Sequence, residues 1–552
     1  LYQLTQSLNE DRLDEFGSSD MSVAARVRVR TENNCIARDI AQVGEFFIFG
    51  YNVFIGLKKE TKLEDVFSLF KLVNNDGEYE LVHQKLEGTF LNDMSFASDF
   101  EELYRYYKST KLVQITVKNG KLLASFQIGE STTDLRVFRW AVSADGKEVK
   151  YIDNRGEREI QLPSPYDFEW SDIGRDDIVH GKNSHINILD TIFVETTGGD
   201  LTIKIENNTE TGKGIFSEPV DNATQSLDDA SFQYAKVGGL ILLKIRPYQE
   251  EITRFFIYNT LTQHVLRVDE IGQSCRQLPE DHGIIFPGGH YLQTGEYKTF
   301  DEDLDGFSFK RMLKSPNGED VMYAFYDPND GRVALLSYNL IEKSLQVPMI
   351  AHGHAIADNG ELVLFTSEDE PTRIHPMQIW NTPFVSDEFA AAQPVGTSIL
   401  GKIGNTELVR AVSDLFSICR LIENQSVTLE IYEELSKVTS KIFDVHYWMD
   451  GEVFNNLVTC LKSIISTSEL VIDEFTKVQS IQQSSDKKMQ EAEEKQALIL
   501  RSIRLDNWEN VEDYISGLDH IRTQRGHLVT IKELRYINLD KIEDLEKELM
   551  EV

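Results

Sequence analysis

Hydrophobic and polar positions follow two grammars along this chain. Before Glu370, short apolar runs are separated by turn dipeptides. Val113, Ile115 and Val117 alternate with Gln114, Thr116 and Lys118, Asn119-Gly120 turns the chain, and Leu122 to Ile128 returns, which is the pattern of a β-hairpin. Phe46 to Phe49 and Tyr51 to Leu57 are aromatic and β-branched and precede Asn75-Asp76-Gly77, so they read as strands before a tight turn. Ala25 to Arg30 alternates and predicts a first strand with its arginines on one solvated face. The grammar recurs at Arg136–Val142 before Asp145-Gly146, at Ile192–Glu195 before Gly198-Gly199, and at Leu201–Ile205. It recurs again at Leu240–Ile245, Arg254–Tyr258, Val265–Val268, Val321–Phe325, Val333–Tyr338 and Leu362–Phe365. A helical patch interrupts it near Asp99–Tyr107.

From Glu370 to Phe384 three prolines (Pro371, Pro376, Pro383) suit neither a helix interior nor a central strand. A polar, alanine-rich connector, Ser386 to Ser398, follows, and then 3.6-residue periodicity takes over. Leu408, Val412, Leu415, Ile418 and Cys419 fall on one helix face. Leu461, Ile464, Ser468, Val471, Phe475 and Val478 continue by threes and fours through Gln482, Ser485, Met489, Ala492, Gln496 and Ile499 to Ile503. That is a heptad seam with a polar middle, with Ser484-Ser485-Asp486 as a hairpin tip in the alternative reading. Gly517 and Gly526 interrupt the pattern, and Ile531–Val552 resumes as a charged helix.

Many short, evenly spaced strands specify a sandwich, a barrel or a propeller. The β block exceeds one immunoglobulin-type sandwich of roughly 100 residues. Strands grouped in fours predict a mainly β, propeller-like fold of about six or seven blades followed by an α-helical, coiled-coil region; successive sandwiches are the alternative. The domains read as an N-terminal extension at 1–38, a propeller-like domain at 39–384, a helical connector at 385–460 and a coiled coil at 461–552.

The 552 residues carry a net charge of −35, with 91 acids against 56 bases, a field that repels phosphate backbones and disfavours direct DNA binding. The four cysteines, Cys35, Cys275, Cys419 and Cys460, form no CxxC pair, which fits a reducing cytoplasmic compartment. No apolar run is as long as a membrane span and no signal peptide opens the chain. A first residue other than Met and a closing run of helix formers suggest a segment of a longer polypeptide.

Few motifs point to chemistry. Asp301-x-Asp303-x-Asp305-Gly306 resembles the first half of a calcium loop, but the twelfth position is Met312 where a bidentate glutamate belongs. Asp301, Asp303 and Asp305 are therefore weak metal candidates beside the reading of a solvated acidic loop. Gly396 to Ile403 almost matches a phosphate-binding loop, yet Ile403 replaces the hydroxyl that ligates magnesium. His352-Gly353-His354 lacks a third zinc ligand nearby. Glu280-Asp281-His282 near Cys275 is a loose cluster with no spacing that fixes a nucleophile against a base.

Several phrases carry a family likeness. They are Gly50–Lys58, Phe126–Glu130, Asp134–Trp140, Asp153–Arg158, Phe193–Lys204, Leu278–Pro287, the proline-bearing stretch and Leu400–Asn405. Together they resemble the N-terminal region of large bacterial ATPases of the AAA class described as DNA repair ATPases. The resemblance covers about residues 40 to 410 and, more loosely, the coiled-coil part. It implies an ATPase domain C-terminal to Val552, with ATP and magnesium bound there and no cofactor in this segment. The expectation is a non-catalytic interaction and regulatory module, with protein partners on the β domain and self-association or internal packing through the coiled coil. The alternative is a propeller enzyme with a calcium-assisted site.

Overall fold

The computed structural model describes all residues except 18–19, 55–59, 108, 161–162, 181–183, 197–198, 207–213, 223–226, 367–369, 394–395, 424–427, 504–509 and 552. Two compact units result, Tyr2–Phe416 and Ser417–Val552, with Leu1 counted in the second. The end of the expected strand Tyr51–Leu57 and the Gly198 turn position lie outside the described residues.

The first unit opens with helix α1 (Tyr2–Phe16), which buries Thr5, Leu8 and Arg12. Antiparallel meanders follow. The first comprises β1 (Ser22–Val43), β2 (Phe46–Val53), a short α2 (Leu63–Val66), β3 (Phe67–Asn75) and β4 (Glu78–Gln84). Helix α3 (Met94–Tyr106), capped by Asp93 at Ser95 N and Phe96 N, leads to β5 (Lys111–Lys118), β6 (Lys121–Gln127), β7 (Leu135–Val142) and β8 (Val149–Asp153). Phe96 and Phe100 of α3 join Phe67, Phe126, Phe138 and Trp140 in one aromatic core between these two sheets. Burial of each such ring is worth roughly 2–3 kcal/mol.

After β9 (Ser171–Ile173) come β10 (Ile178–Val179), β11 (His185–Ile188), β12 (Ile192–Glu195), β13 (Asp200–Lys204) and β14 (Phe216–Pro219). The next sheet contains β15 (Ser231–Val237), β16 (Leu240–Arg246), β17 (Arg254–Asn259) and β18 (His264–Arg267), with β9 on the free edge of β15. A further sheet is β19 (Arg276–Gln277), β20 (Gly283–Phe286), β21 (Gly289–Leu292) and β22 (Tyr297–Thr299). Then come β23 (Ser308–Lys314), β24 (Asp320–Tyr326), β25 (Val333–Asn339), β26 (Ser344–Leu345), β27 (Met349–Ile356), β28 (Glu361–Thr366) and β29 (Thr372–Asn381).

The predicted hairpin turns form as their residues dictate: Asp76-Gly77 and Asn119-Gly120 all have positive φ, the twist that two-residue hairpins need. The first meander and the last are one sheet. The N-terminal half of β1 pairs with β29, from Ser22↔Asn381 to Arg30↔Ile374. Its C-terminal half pairs with β2, from Cys35↔Val53 to Val43↔Phe46. Independent successive sandwiches would not share a strand in this way, so the mainly β unit is propeller-like.

Two expectations are corrected here. The proline-bearing stretch is itself β29, flanked by β28 and β1. The β28 ladder stops at Met377, so Pro376 sits in a two-sided strand where only the β1 side continues. The boundary at residue 38 falls inside β1, which is continuous because both halves have a hydrogen-bonded neighbour.

Helices α4 (Asp387–Ala391), α5 (Ile399–Ile403) and α6 (Asn405–Glu423) follow, the last crossing the limit between the units. The second unit continues with α7 (Leu429–Val445), α8 (Asn455–Ser502), α9 (Val511–Lys532) and α10 (Leu539–Glu551). Along α8, Leu461, Ser468, Ser485, Met489, Ala492, Gln496 and Ile499 of the expected seam are buried, while Ile464, Val471, Phe475 and Val478 are half-buried and Gln482 is exposed. Its first half packs on α7, with Tyr432 and Phe475 rings 6.3 Å apart. Its second half joins α9 and α10 through Met489, Ala492, Leu528, Ile531, Ile542 and Leu549. No hairpin tip forms at Ser484–Asp486, because α8 runs through it. Gly517 and Gly526 lie inside α9, and the chain instead breaks after Lys532, where Tyr536 takes φ 65°.

Candidate functional site

Four strands from different hairpins carry a register slip at one level of the first unit. The slips fall between Ala37 and Asp39 in β1, Leu112 and Gln114 in β5, Phe309 and Arg311 in β23, and Ala351 and Gly353 in β27. Each skips one residue: Arg38, Val113, Lys310 and His352. Bulges re-aim side chains and are over-represented beside binding and active sites. β1 lies against both β5 and β27. A Cβ on Gly353 would stand 2.6 Å from Asp39 Cα, so glycine is what lets β27 approach β1.

The slips gather charge. Arg38 Nε donates to Val113 O (3.1 Å), and its Nη2 donates to Pro328 O (3.1 Å) and the Tyr326 hydroxyl (3.4 Å). Asp39 accepts from Ile40 N (2.9 Å) and, through its other oxygen, from Ile115 N (2.8 Å). Lys310 Nζ is 3.9 Å from Asp39 Oδ2 and 4.9 Å from the centre of the Tyr326 ring. Arg311 Nη2 donates to His354 Nε2. A guanidinium has only donors, so His354 carries its proton on Nδ1. That Nδ1 and Arg311 Nε are both buried with no protein partner among the described residues.

Burial pulls the Lys310 ammonium and the Arg311 guanidinium below their ordinary ranges, although Asp39 opposes the shift in both. Burial, then Arg311 and Lys310, holds His354 well below the usual imidazole value, so it is neutral near pH 7. Asp39 thus stands as one carboxylate among three cationic side chains. Its attraction for Lys310 is about 4 kcal/mol at an effective dielectric of 20, while each buried ion costs several kcal/mol in lost hydration. One carboxylate does not neutralise this cluster.

The residues singled out in the sequence lie elsewhere. Asp301, Asp303 and Asp305 are exposed in a loop anchored by buried Leu304 and Phe307. Asp303 accepts from Asp305 N (3.2 Å), and Asp305 accepts from Gln273 Nε2 (2.8 Å). Among the described residues no three His, Cys, Asp or Glu side chains are placed to hold a metal ion. Gly396–Ile403 enters the five-residue α5, where Ser398 Oγ caps Gly401 N at 2.8 Å. Cys275 is buried, which pushes its thiol well up. His282 Nδ1 instead meets the Tyr338 hydroxyl at 2.9 Å. Of the His352-Gly353-His354 triplet, His354 belongs to the charged cluster. The other members escaped sequence reading, although adjacent Lys310-Arg311 inside an apolar strand was a usable signal, since one of two neighbours must face inward.

A mainly β, propeller-like unit with a helical region is the class that the fold defines. The chain belongs to the DUF3686 family, described as "ATPase involved in DNA repair", which matches residues 1–447. No curated protein matches the sequence. Among solved structures it is similar to the β-propeller domain of the Trilobed protease from Pyrococcus furiosus, with 10% identity and TM-score 0.18 over 63% of this chain and 96% of that one. It is also similar to RS223-Beta-xylosidase, with 9% identity and TM-score 0.24 over 63% and 92%. A GH43_1 enzyme from Xanthomonas citri has 9% identity and TM-score 0.22 over 68% and 92%. The expectation that this segment is not an enzyme is withdrawn, because enzymes stand among these similar structures. At such TM-scores they assign no activity or residue to it. Among the described residues no helix is long and apolar enough to cross a membrane.

Proposed function

We propose that residues 1–552 are the docking and regulatory region of a large cytoplasmic bacterial ATPase of the AAA class, acting in DNA repair or a stress response. In this reading the first unit is a seven-bladed propeller in which β1 serves the first blade and completes the last. Protein partners dock on this unit. Helices α8 to α10 couple it to the motor or to a second copy by coiled-coil packing, and ATP with magnesium binds outside this stretch. The near-match at Gly396–Ile403 lacks the magnesium-ligating hydroxyl. Direct DNA contact is disfavoured by the net charge of −35.

The observation that carries the proposal is α8. It is 48 residues long, about 72 Å at 1.5 Å per residue. Its buried line changes partner midway, from α7 to α9 and α10. A continuous helix held at both ends by different neighbours is a means of transmitting displacement. Removal of residues 461–552 should change the assembly state measured by light scattering. Removal of Tyr2–Phe416 from the full-length gene product should change its ATP hydrolysis severalfold. Unchanged assembly together with unchanged hydrolysis would refute the reading.

A further inference from the structure

The cluster at the four bulges is short of negative charge. Arg38, Lys310 and Arg311 gather around the carboxylate of Asp39, and a second buried carboxylate, Asp327, acts on Tyr326. Arg38 is spent on two carbonyls and the Tyr326 hydroxyl. Among the described residues Lys310 makes no side-chain hydrogen bond, its ion-pair partner Asp39 Oδ2 stands 3.9 Å away, and its side chain remains 14% exposed, so solvent reaches it. Arg311 Nε and His354 Nδ1 are buried donors without an acceptor among the described residues. Natural structures satisfy such groups, and exceptions mark a missing water, ion or ligand.

We propose that Lys310, Arg311 and His354 form a binding site for a phosphate group, free or carried as a monoester on a small ligand. Three cations against Asp39 and the buried Asp327 leave the cluster net positive, and a phosphomonoester carries −1.5 to −2 near pH 7 with three acceptor oxygens. Three donors of these neighbouring side chains are without an acceptor among the described residues: the Lys310 ammonium, Arg311 Nε–H and His354 Nδ1–H. An arginine edge gives directional N–H donors to phosphate, and lysine adds a compact charge. Asp39 does not compete, since both of its oxygens hold backbone amides of β1 and β5; it fixes the strands around the site. The inference does not depend on the regulatory role proposed above.

The test is thermal unfolding of the 552-residue protein in inorganic phosphate, sodium chloride or acetate at matched ionic strength, repeated with glycerol phosphate. A Tm that rises with the logarithm of phosphate concentration and not with chloride or acetate is the expected result, because a ligand of the folded state stabilises by mass action. Glycerol phosphate acting as well as phosphate would assign a monoester ligand; phosphate alone acting would assign the free ion. Lys310→Met and Arg311→Gln should each weaken the response at least tenfold. Lys310→Met should keep a single cooperative thermal transition in phosphate-free buffer, which separates loss of binding from loss of fold. Equal shifts in phosphate and chloride, a response to acetate only, or a phosphate response retained in Lys310→Met would each overturn the proposal.

Discussion

Asp39→Asn tests the charge balance of the four-bulge cluster without changing its size. The side chain keeps one acceptor oxygen, but the other becomes an NH2 facing Ile40 N–H or Ile115 N–H, where donor meets donor. Lys310 loses the carboxylate it pairs with, an attraction of about 4 kcal/mol at 3.9 Å and an effective dielectric of 20. Breaking a buried pair by removing one partner costs roughly 3–5 kcal/mol, which is the expected loss. If Tyr2–Phe416 melts as one unit, an unfolding entropy of roughly 2.1 cal/mol/K per residue turns that loss into about 3–6 °C in Tm. Calorimetry in phosphate-free buffer measures it. Adding Lys310→Met removes the stranded ammonium, so the double variant should recover about 1–3 kcal/mol relative to additivity. An Asp39→Asn loss below about 1 kcal/mol, or strict additivity with Lys310→Met, would refute the account of Asp39 as the counter-charge of Lys310.

Other outcomes follow from single positions. His290 is buried and both ring nitrogens lack partners among the described residues; burial, then Lys298, pushes it down to about 4. The unfolded chain therefore binds an extra proton between pH 6.5 and about 4, and stability falls by about 3 kcal/mol as pH drops through that window. Denaturant titrations of His290→Leu should show a flatter acid limb. Gly353→Ala places a Cβ 2.6 Å from the backbone of Asp39, and should cost about 1–3 kcal/mol in urea unfolding. Gly526 lies inside α9 with open space around its Cβ position. Gly526→Ala should therefore raise the stability of the helical unit by about 0.5–1 kcal/mol, read by circular dichroism on heating.

Strands and turns were legible in this sequence because each rests on local chemistry. Asn119-Gly120 needs no distant partner to take positive φ, and the α8 seam from Leu461 to Ile499 is written in spacing alone. What escaped was set by residues far apart in the chain. Pro376 sits in a strand because β1, more than three hundred residues earlier, pairs with it at Arg28. Nothing within Glu370–Phe384 announces that neighbour. The charged cluster escaped for the same reason. Arg38, Asp39, Lys310, Arg311 and His354 meet only through bulges in separate hairpins, and a bulge has no fixed residue signature unless it requires glycine. The weak metal candidates in the sequence, Asp301, Asp303 and Asp305, were conspicuous because they cluster along the chain, and clustering along the chain is how exposed acidic loops are made.

The double service of β1 bears on how the protein is made. Ser22 of β1 pairs with Asn381 of β29, so the ribosome must add the whole intervening β domain before that half of the strand finds its neighbour. At roughly 5–20 residues per second this takes on the order of 20–70 s. Throughout that interval β1 presents an open row of amides and carbonyls, the kind of template on which nascent chains join each other. Arg26, Arg28 and Arg30 project to solvent from this stretch, and charged side chains on an open strand discourage such joining.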